Sequence, residues 1–410
     1  MGSKKKRKWT VFFLIKSVGG NMPEVIRMIN DIRCLELKAH VNVIVCLHFY
    51  RENLTALLKG DVSLLPVEIP DPTLTTMFFR LLPLPAGTTG FSHELYEVLE
   101  ERDFDITNPV HLEKYFRQQV LLPFKAKHYI LFSWDHGRAY GMFSLKFTAL
   151  HTLKRTFEPV CNEEAKILTM EELAWAIRCT FGKKKVDVAI MMNCYMQFFD
   201  AGYALRHSVK YLVAPEGHMD FEGYNYHYLF QVLNNDEHVT PRKIARLAVK
   251  SFASKVYTDV DEEELAKNST ALFATDLRYY DSLAEQIEVL ANILLQRLAT
   301  DKEAIVEARD NGHFLAVGLL DFYHFTRQMA AQKLLSENFL CASRLLSIRD
   351  LVVIQSHIGK KIEKPNSGFS IFFPMAGASE IPREGFDDFF ETAFMKDSTW
   401  KMLIEACAET

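Results

Sequence analysis

Two apolar runs constrain this chain more than anything else in it: Tyr129-Ile130-Leu131-Phe132-Ser133-Trp134 and Val186-Asp187-Val188-Ala189-Ile190-Met191-Met192. Both read as buried strands, the kind found in a sheet covered on both faces. Each run ends in a short polar step, Asp135-His136-Gly137 after the first and Asn193-Cys194 after the second. In an open α/β sheet, side chains beyond the carboxyl ends of the strands converge on one crevice, where ligands bind. A histidine and a cysteine brought to that rim can make a base and a nucleophile.

The rest of the chain supplies the elements such a sheet needs. Thr10 to Ile15 reads as a strand, and Pro23 opens a helix with Val25, Met28, Ile29 and Ile32 on one face. Val41 to Phe49 reads as a second strand broken by His48, and Thr76 to Leu82 as a third, inside a Pro- and Thr-rich stretch from Ser63 to Pro85. Asn108-Pro109 starts a helix that runs to about Leu122. After the His and Cys strands, a further strand covers Tyr211 to Ala214. Strands alternating with helices imply a mostly parallel sheet flanked by helices. From about Pro241 the pattern turns helical, as in Leu277, Tyr280, Ala284, Ile287, Leu290 and Leu294. Leu351 to Gln355 and Ser370 to Phe373 read as a late β pair. The expected organisation is an α/β core over residues 1–240, with a mainly helical region over 241–410 packed on it.

Composition excludes several classes. A net charge of −4 gives no case for nucleic acid as the main partner, and the basic run Lys4 to Lys8 reads as a solvated lead-in to the first strand. No apolar stretch has the length of a membrane span, and Val11 to Ile15 is too short for a signal peptide. The expected location is therefore the cytoplasm. Seven scattered cysteines without a C-x-x-C signal neither a disulfide framework nor a zinc site, and no P-loop or G-x-G-x-x-G is present. No metal or cofactor is expected. The run Asp259, Asp261 to Glu264 lacks the alternating carboxylates of a calcium loop and reads as an acidic first helical turn.

A thiol becomes a good nucleophile when ionised, and a neighbouring imidazole can take its proton. Acyl transfer also needs donors aimed at the developing oxyanion, and the N–H groups of Gly137 and Cys194 are the candidates. Glycine after the histidine lets a substrate carbonyl approach the main chain. Taken singly, a strand-end Cys is more often an inert small apolar residue and a His-Gly step more often a turn. Their order and shared context favour chemistry. They lie 58 positions apart, close to the His-then-Cys spacing of caspases, about 50.

Along most of its length the chain resembles the clostripain family of cysteine peptidases, which share the caspase and gingipain type of fold. Lys8-Trp9-Thr10-Val11 resembles the family's first strand, and Trp134-Asp135-His136-Gly137 its W-N-H-G motif with Asp for the usual Asn. Leu168 to Leu173 resembles the helix before the nucleophile strand, where Thr169 and Glu172 also make a capping box. Asn193-Cys194-Tyr195-Met196 resembles D-x-C-L-M. Tyr211 to Glu216 with Glu222 to Tyr226, Asp321-Phe322-Tyr323, and Gly368 to Pro374 resemble its later signatures. The resemblance implies a caspase-like fold, a polypeptide substrate and a His136–Cys194 dyad.

It also implies a substrate pocket with two departures. The family's aspartate before the nucleophile, which helps select a basic P1 side chain, is Met192, and the pocket-strand serine is Pro215. Glu222 aligns with another acidic pocket position, and Glu216 and Asp220 lie nearby. A buried cation needs a partner, so the expected P1 preference for Arg or Lys depends on these acids. In the linker from Thr148 to Lys166, the resemblance makes Lys154, Arg155 and Lys166 candidate maturation sites, the alternative being an ordinary basic loop. The expectation is an intracellular cysteine endopeptidase, with a regulatory protein partner admitted. The alternatives are a catalytically silent scaffold of the same fold, for which Met192 and Pro215 speak, and a non-peptidase α/β hydrolase or transferase using the same dyad.

Overall fold

The computed structural model describes residues 7–18, 20–35, 37–38, 40–70, 72–81, 98–101, 103–143, 166–219, 223–258, 270–316, 318–332, 339–362, 364, 366–375 and 383–408. In chain order the first strands are β1 (Arg7–Ser17), β2 (Val41–Tyr50), β3 (Leu74–Leu81), β4 (Val98–Glu101) and β5 (Ala126–Trp134). Two short strands, β6 (Gly141–Met142) and β7 (Leu168–Thr169), pair antiparallel as a separate piece. There follow β8 (Val186–Met192), β9 (Val209–Pro215) and β10 (Ala271–Asp276). The last are β11 (Phe314–Ala316), β12 (Leu319–Asp321), β13 (Val353–Ile358) and β14 (Ser370–Phe372).

Nine of these form the main sheet, in the order β13-β10-β9-β8-β5-β1-β2-β3-β4. The five central strands, β9, β8, β5, β1 and β2, run parallel. Antiparallel strands extend the sheet on both sides. This is the mostly parallel arrangement the apolar runs imply, in keeping with the caspase-like fold the resemblance implies, and β8 matches its run residue for residue.

The central strands are buried on both faces because alternate side chains enter two different cores. Phe12 and Leu14 of β1 point into one. Val11, Phe13 and Ile15 point into the other. The helices Met22–Arg33, Tyr226–Asn235 and Pro241–Thr258 cover the second face, where Phe13 stacks on Phe132 of β5 with ring centroids 4.7 Å apart. The helices Pro109–Tyr115, Met170–Phe181, Phe199–Leu205 and the long Tyr280–Asp310 cover the first.

Local chemistry sets the helix starts that matter for the site. Asn108 accepts a hydrogen bond from Val110 N–H ahead of Pro109, and the turn continues past Tyr115 as a π-helical segment, Phe116–Leu121. Thr169 and Glu172 form the reciprocal capping box.

One reading of the C-terminal half changes. The late strands do not pair with each other. β13 lies antiparallel to β10 at the edge of the main sheet, while β14 pairs with β12 in a three-stranded sheet. Both are short, and short antiparallel strands carry no local mark of their partner. β10 and β13, both beyond residue 240, extend the main sheet.

Candidate active site

Trp134 of β5 stands directly opposite Met192 of β8 in the parallel register. His136 and Cys194 are each two residues beyond that pair. Neighbouring strands lie about 4.8 Å apart, so the chain leaves both strands at one level and side by side.

The backbone of the two turns is in contact. A Cβ on Gly137 would fall 2.3 Å from the Cys194 carbonyl oxygen and 2.9 Å from the Cys194 nitrogen. Only glycine fits there. The turn after β5 is closed by a bridge between Gly137 and Met142, in which Arg138 N–H donates to Gly141 O (2.9 Å) and Phe143 N–H to His136 O (3.2 Å). That pattern takes the flanking N–H groups and not that of Gly137. Ala139 and Phe143 hold positive φ angles of 64° and 72°, a conformation L-residues adopt at a cost.

Asn193 joins the two strand ends. It is fully buried, donates from Nδ2 to the carbonyls of Asp135 (3.0 Å) and His136 (3.3 Å), and accepts from Ser133 Oγ (2.6 Å). Tyr195, next to the nucleophile candidate, has φ 63°. Its N–H is held by Gly217 O at 2.7 Å and its hydroxyl meets His218 Nε2 at 2.8 Å. The same loop after β9 sends Met219 N–H to Cys194 Sγ at 3.3 Å. A donor aimed at sulfur favours the thiolate over the thiol. The sequence marks neither Asn193 nor Met219 for these roles, although both stand within or beside quoted motifs.

Electrostatics around His136 favour the neutral imidazole. Its pKa is lowered by burial first, then by the positive charges of Lys16 and Arg138. Asp135 is buried, and its carboxyl is pushed up to about 7 by that burial, with His136 N–H and Lys16 acting the other way. A neutral imidazole can accept a thiol's proton.

The pocket candidates separate. Met192 is buried, its sulfur accepts from Tyr226 O–H at 2.7 Å, and its methyl occupies the space a Cβ on Gly223 would need, 2.4 Å away. Pro215 ends β9 with its carbonyl held by Gln197 N–H at 2.8 Å. Glu216 does not face a substrate. It is wholly buried, its Oε2 accepts from Gly368 N–H at 3.1 Å, and burial together with Asp321 holds its pKa well above the usual carboxylate range. The chain after β9 turns it into the C-terminal sheet, a direction no sequence pattern records. Lys166 is exposed and pairs with Asp105 at 3.5 Å. Glu222, Asp220, Lys154, Arg155 and the acidic run 259–264 lie outside the described residues. Among the described residues no group of three or more His, Cys, Asp or Glu side chains is placed to hold a metal ion, and no helix is long and apolar enough to cross a membrane.

A model of the clostripain family matches residues 92–406. No curated protein sequence matches the chain. Among solved structures, a secreted C11 cysteine protease from Bacteroides thetaiotaomicron is similar, with a TM-score of 0.67 at 15% identity, over 96% of this chain and 99% of that one. A structure of a secreted C11 cysteine protease from that organism with an irreversible peptide inhibitor gives 0.60 at 13%, over 96% and 99%. An inactive zymogen C11 protease from Parabacteroides distasonis gives 0.65 at 13%, over 96% and 98%. At such identities the likeness establishes a common fold.

Proposed function

The chain belongs to the clostripain family of cysteine endopeptidases, and from that premise we propose that Cys194 is its nucleophile and His136 its general base. The observation that carries this reading is the backbone contact between Gly137 and Cys194, which seats the two strand-end turns against each other. His136 takes the thiol proton, and the thiolate attacks the scissile carbonyl. The N–H groups of Gly137 and Cys194 receive the oxyanion, and the imidazolium returns its proton to the leaving amine. Water then hydrolyses the acyl-enzyme with His136 again as base.

The proposed P1 residue is Arg or Lys, held by Glu222. Neither Met192, a buried thioether, nor Glu216, turned into the C-terminal sheet, supplies a charge there. The preference should therefore be narrow. The thioether at 192 favours a second reading, an uncharged P1. Cleavage in the linker at Lys154, Arg155 or Lys166 belongs to the same proposal, as does an intracellular site of action, which is consistent with the free thiols of Cys34 and Cys179. A regulatory partner stays within the proposal.

The test is labelling with a peptidyl electrophile, followed by peptide mapping and a library cleavage profile. Cys194 should carry the label, and Cys194→Ala should abolish cleavage while the protein stays folded, since loss of a nucleophile costs orders of magnitude in rate. Near-normal turnover by Cys194→Ala, free of contaminating proteases, would remove Cys194 from the role.

A further inference from the structure

Lys16 sits in an unusual place for a lysine. It is the penultimate residue of β1, inside the sheet and 4% exposed. Ile15 pairs with Trp134 across the parallel strands, so Lys16 lies alongside Asp135, one residue before His136. Its Nζ donates to Phe143 O at 2.6 Å. Phe143 is the residue whose own N–H closes the turn on His136 O, and it shares that turn's positive φ angles with Ala139. One hydrogen bond thus ties the far end of the His136 turn to the central strand of the sheet. An ammonium has three donors, and this is the hydrogen bond it makes from Nζ among the described residues. Burying a charge on such terms costs stability unless nearby charges offset it.

The charges are there. Asp135 carries a buried Oδ2 without a hydrogen-bond partner among the described residues, and Lys16 and Asp135 act on each other through space. Asp105, from the turn ahead of the helix Pro109–Tyr115, also acts on Lys16. On the other side Lys16 pairs in register with His48 of β2, which is half-buried, bonded to Thr76 and pushed down to about 4 by burial and by Lys16, so it stays neutral. Arg138 adds a second cation on the His136 turn, and the Cys194 backbone packs against Gly137 of that turn.

We infer that Lys16 is a positioning residue for the dyad: it anchors the turn that carries His136 and sets a buried positive charge, balanced by Asp135, behind the imidazole. The charge does what an apolar tether could not. A nearby cation lowers the pKa of imidazole and thiol alike, so it keeps His136 a free base and Cys194 a readier thiolate. Asp135, where the family pattern has an amide, limits that effect. The inference rests on the dyad proposed above.

The experiment uses the full chain and three variants, Lys16→Met, Lys16→Arg and Asp135→Asn. Two profiles are read against pH: the alkylation rate of Cys194 by iodoacetamide, resolved by peptide mapping, and kcat/KM on a peptide. Lys16→Met should move the alkylation midpoint and both limbs of the kcat/KM profile to higher pH, by roughly half a unit or more. Lys16→Arg, which keeps the charge, should hold the wild-type midpoint. Asp135→Asn, which leaves the cation unopposed where Asp135 is ionised, should shift the part of both profiles above about pH 7 to lower pH. If Lys16→Met fails to fold, Asp135→Asn decides alone, and an unmoved profile there overturns the inference. A reactive Cys194 whose profile Lys16→Met leaves in place also overturns it, without touching the dyad. A wild-type Cys194 that alkylates no faster than exposed Cys34 overturns the dyad and this inference together.

Discussion

Gly137→Ala isolates the contact on which the site depends. Gly137 is not among the residues with positive φ, so alanine meets no dihedral objection there. The obstacle is steric alone. The new Cβ would lie 2.3 Å from the Cys194 carbonyl oxygen, whereas ordinary contact begins at 3.4 Å. The other close atoms are Asn193 Cβ and Cys194 N, both at 2.9 Å, so no flexible side-chain end is available to swing aside. The turns must part by about 1 Å. A misplacement of that size between reacting groups costs on the order of 100-fold in rate, or about 2.7 kcal/mol of transition-state stabilisation. Overpacking costs about 1–3 kcal/mol of fold stability besides. The control is Gly202→Ala in the helix Phe199–Leu205, where the Cβ meets the Tyr280 ring at an equal 2.3 Å. The assay is kcat/KM on one peptide substrate with the melting temperature of each variant. Gly137→Ala should lose both activity and stability, and Gly202→Ala mainly stability. Wild-type kcat/KM in Gly137→Ala would refute the reasoning, because the turns would then tolerate separation.

Two further outcomes follow from buried groups. Glu216 holds its proton more tightly folded than unfolded, from burial first and Asp321 second. Stability from that carboxyl is complete below the unfolded value, near 4.5, and is lost as pH rises through the raised folded value. Glu216→Gln keeps an acceptor for Gly368 N–H and has no proton to lose, so it should melt above the wild type at pH 8 and approach it near pH 4.5; an equal gap at both pH values would contradict this. Thr169→Ala removes the capping box and should cost about 1 kcal/mol in urea unfolding with kcat unchanged, whereas a cost below a few tenths would show the cap to be idle.

The central fold was legible because its strands are uniform. A strand buried on both faces must be apolar along its length, so β5 and β8 announce themselves, and the polar step after each marks the rim. The helix Met22–Arg33 was equally plain, with Val25, Met28, Ile29 and Ile32 all buried. β10 was not, since Ala271–Asp276 is six residues long and its antiparallel partners are distant in sequence. Glu216 looked like a pocket carboxylate because its direction depends on how the chain turns after Pro215. Lys16 lies just beyond the strand read over Thr10 to Ile15 and carries no mark of a buried place. Its burial arises only when β2 and β5 close on either side, and nothing local to Ile15-Lys16-Ser17 reports that.

The surroundings of Cys194 are assembled from stretches far apart in the chain. Gln197 O accepts from Ser370 N–H, and Phe198 bridges to Ser370. Gly368 meets Glu216 across 152 positions, and Thr392 meets Asp200 across 192. A chain still emerging from the ribosome at residue 300 therefore owns Cys194 and His136 but lacks the strand that braces the segment after the cysteine. Distance along the polypeptide acts as a timer. The site is finished only when residues 368 to 392 reach it, after the strands of the main sheet have been made.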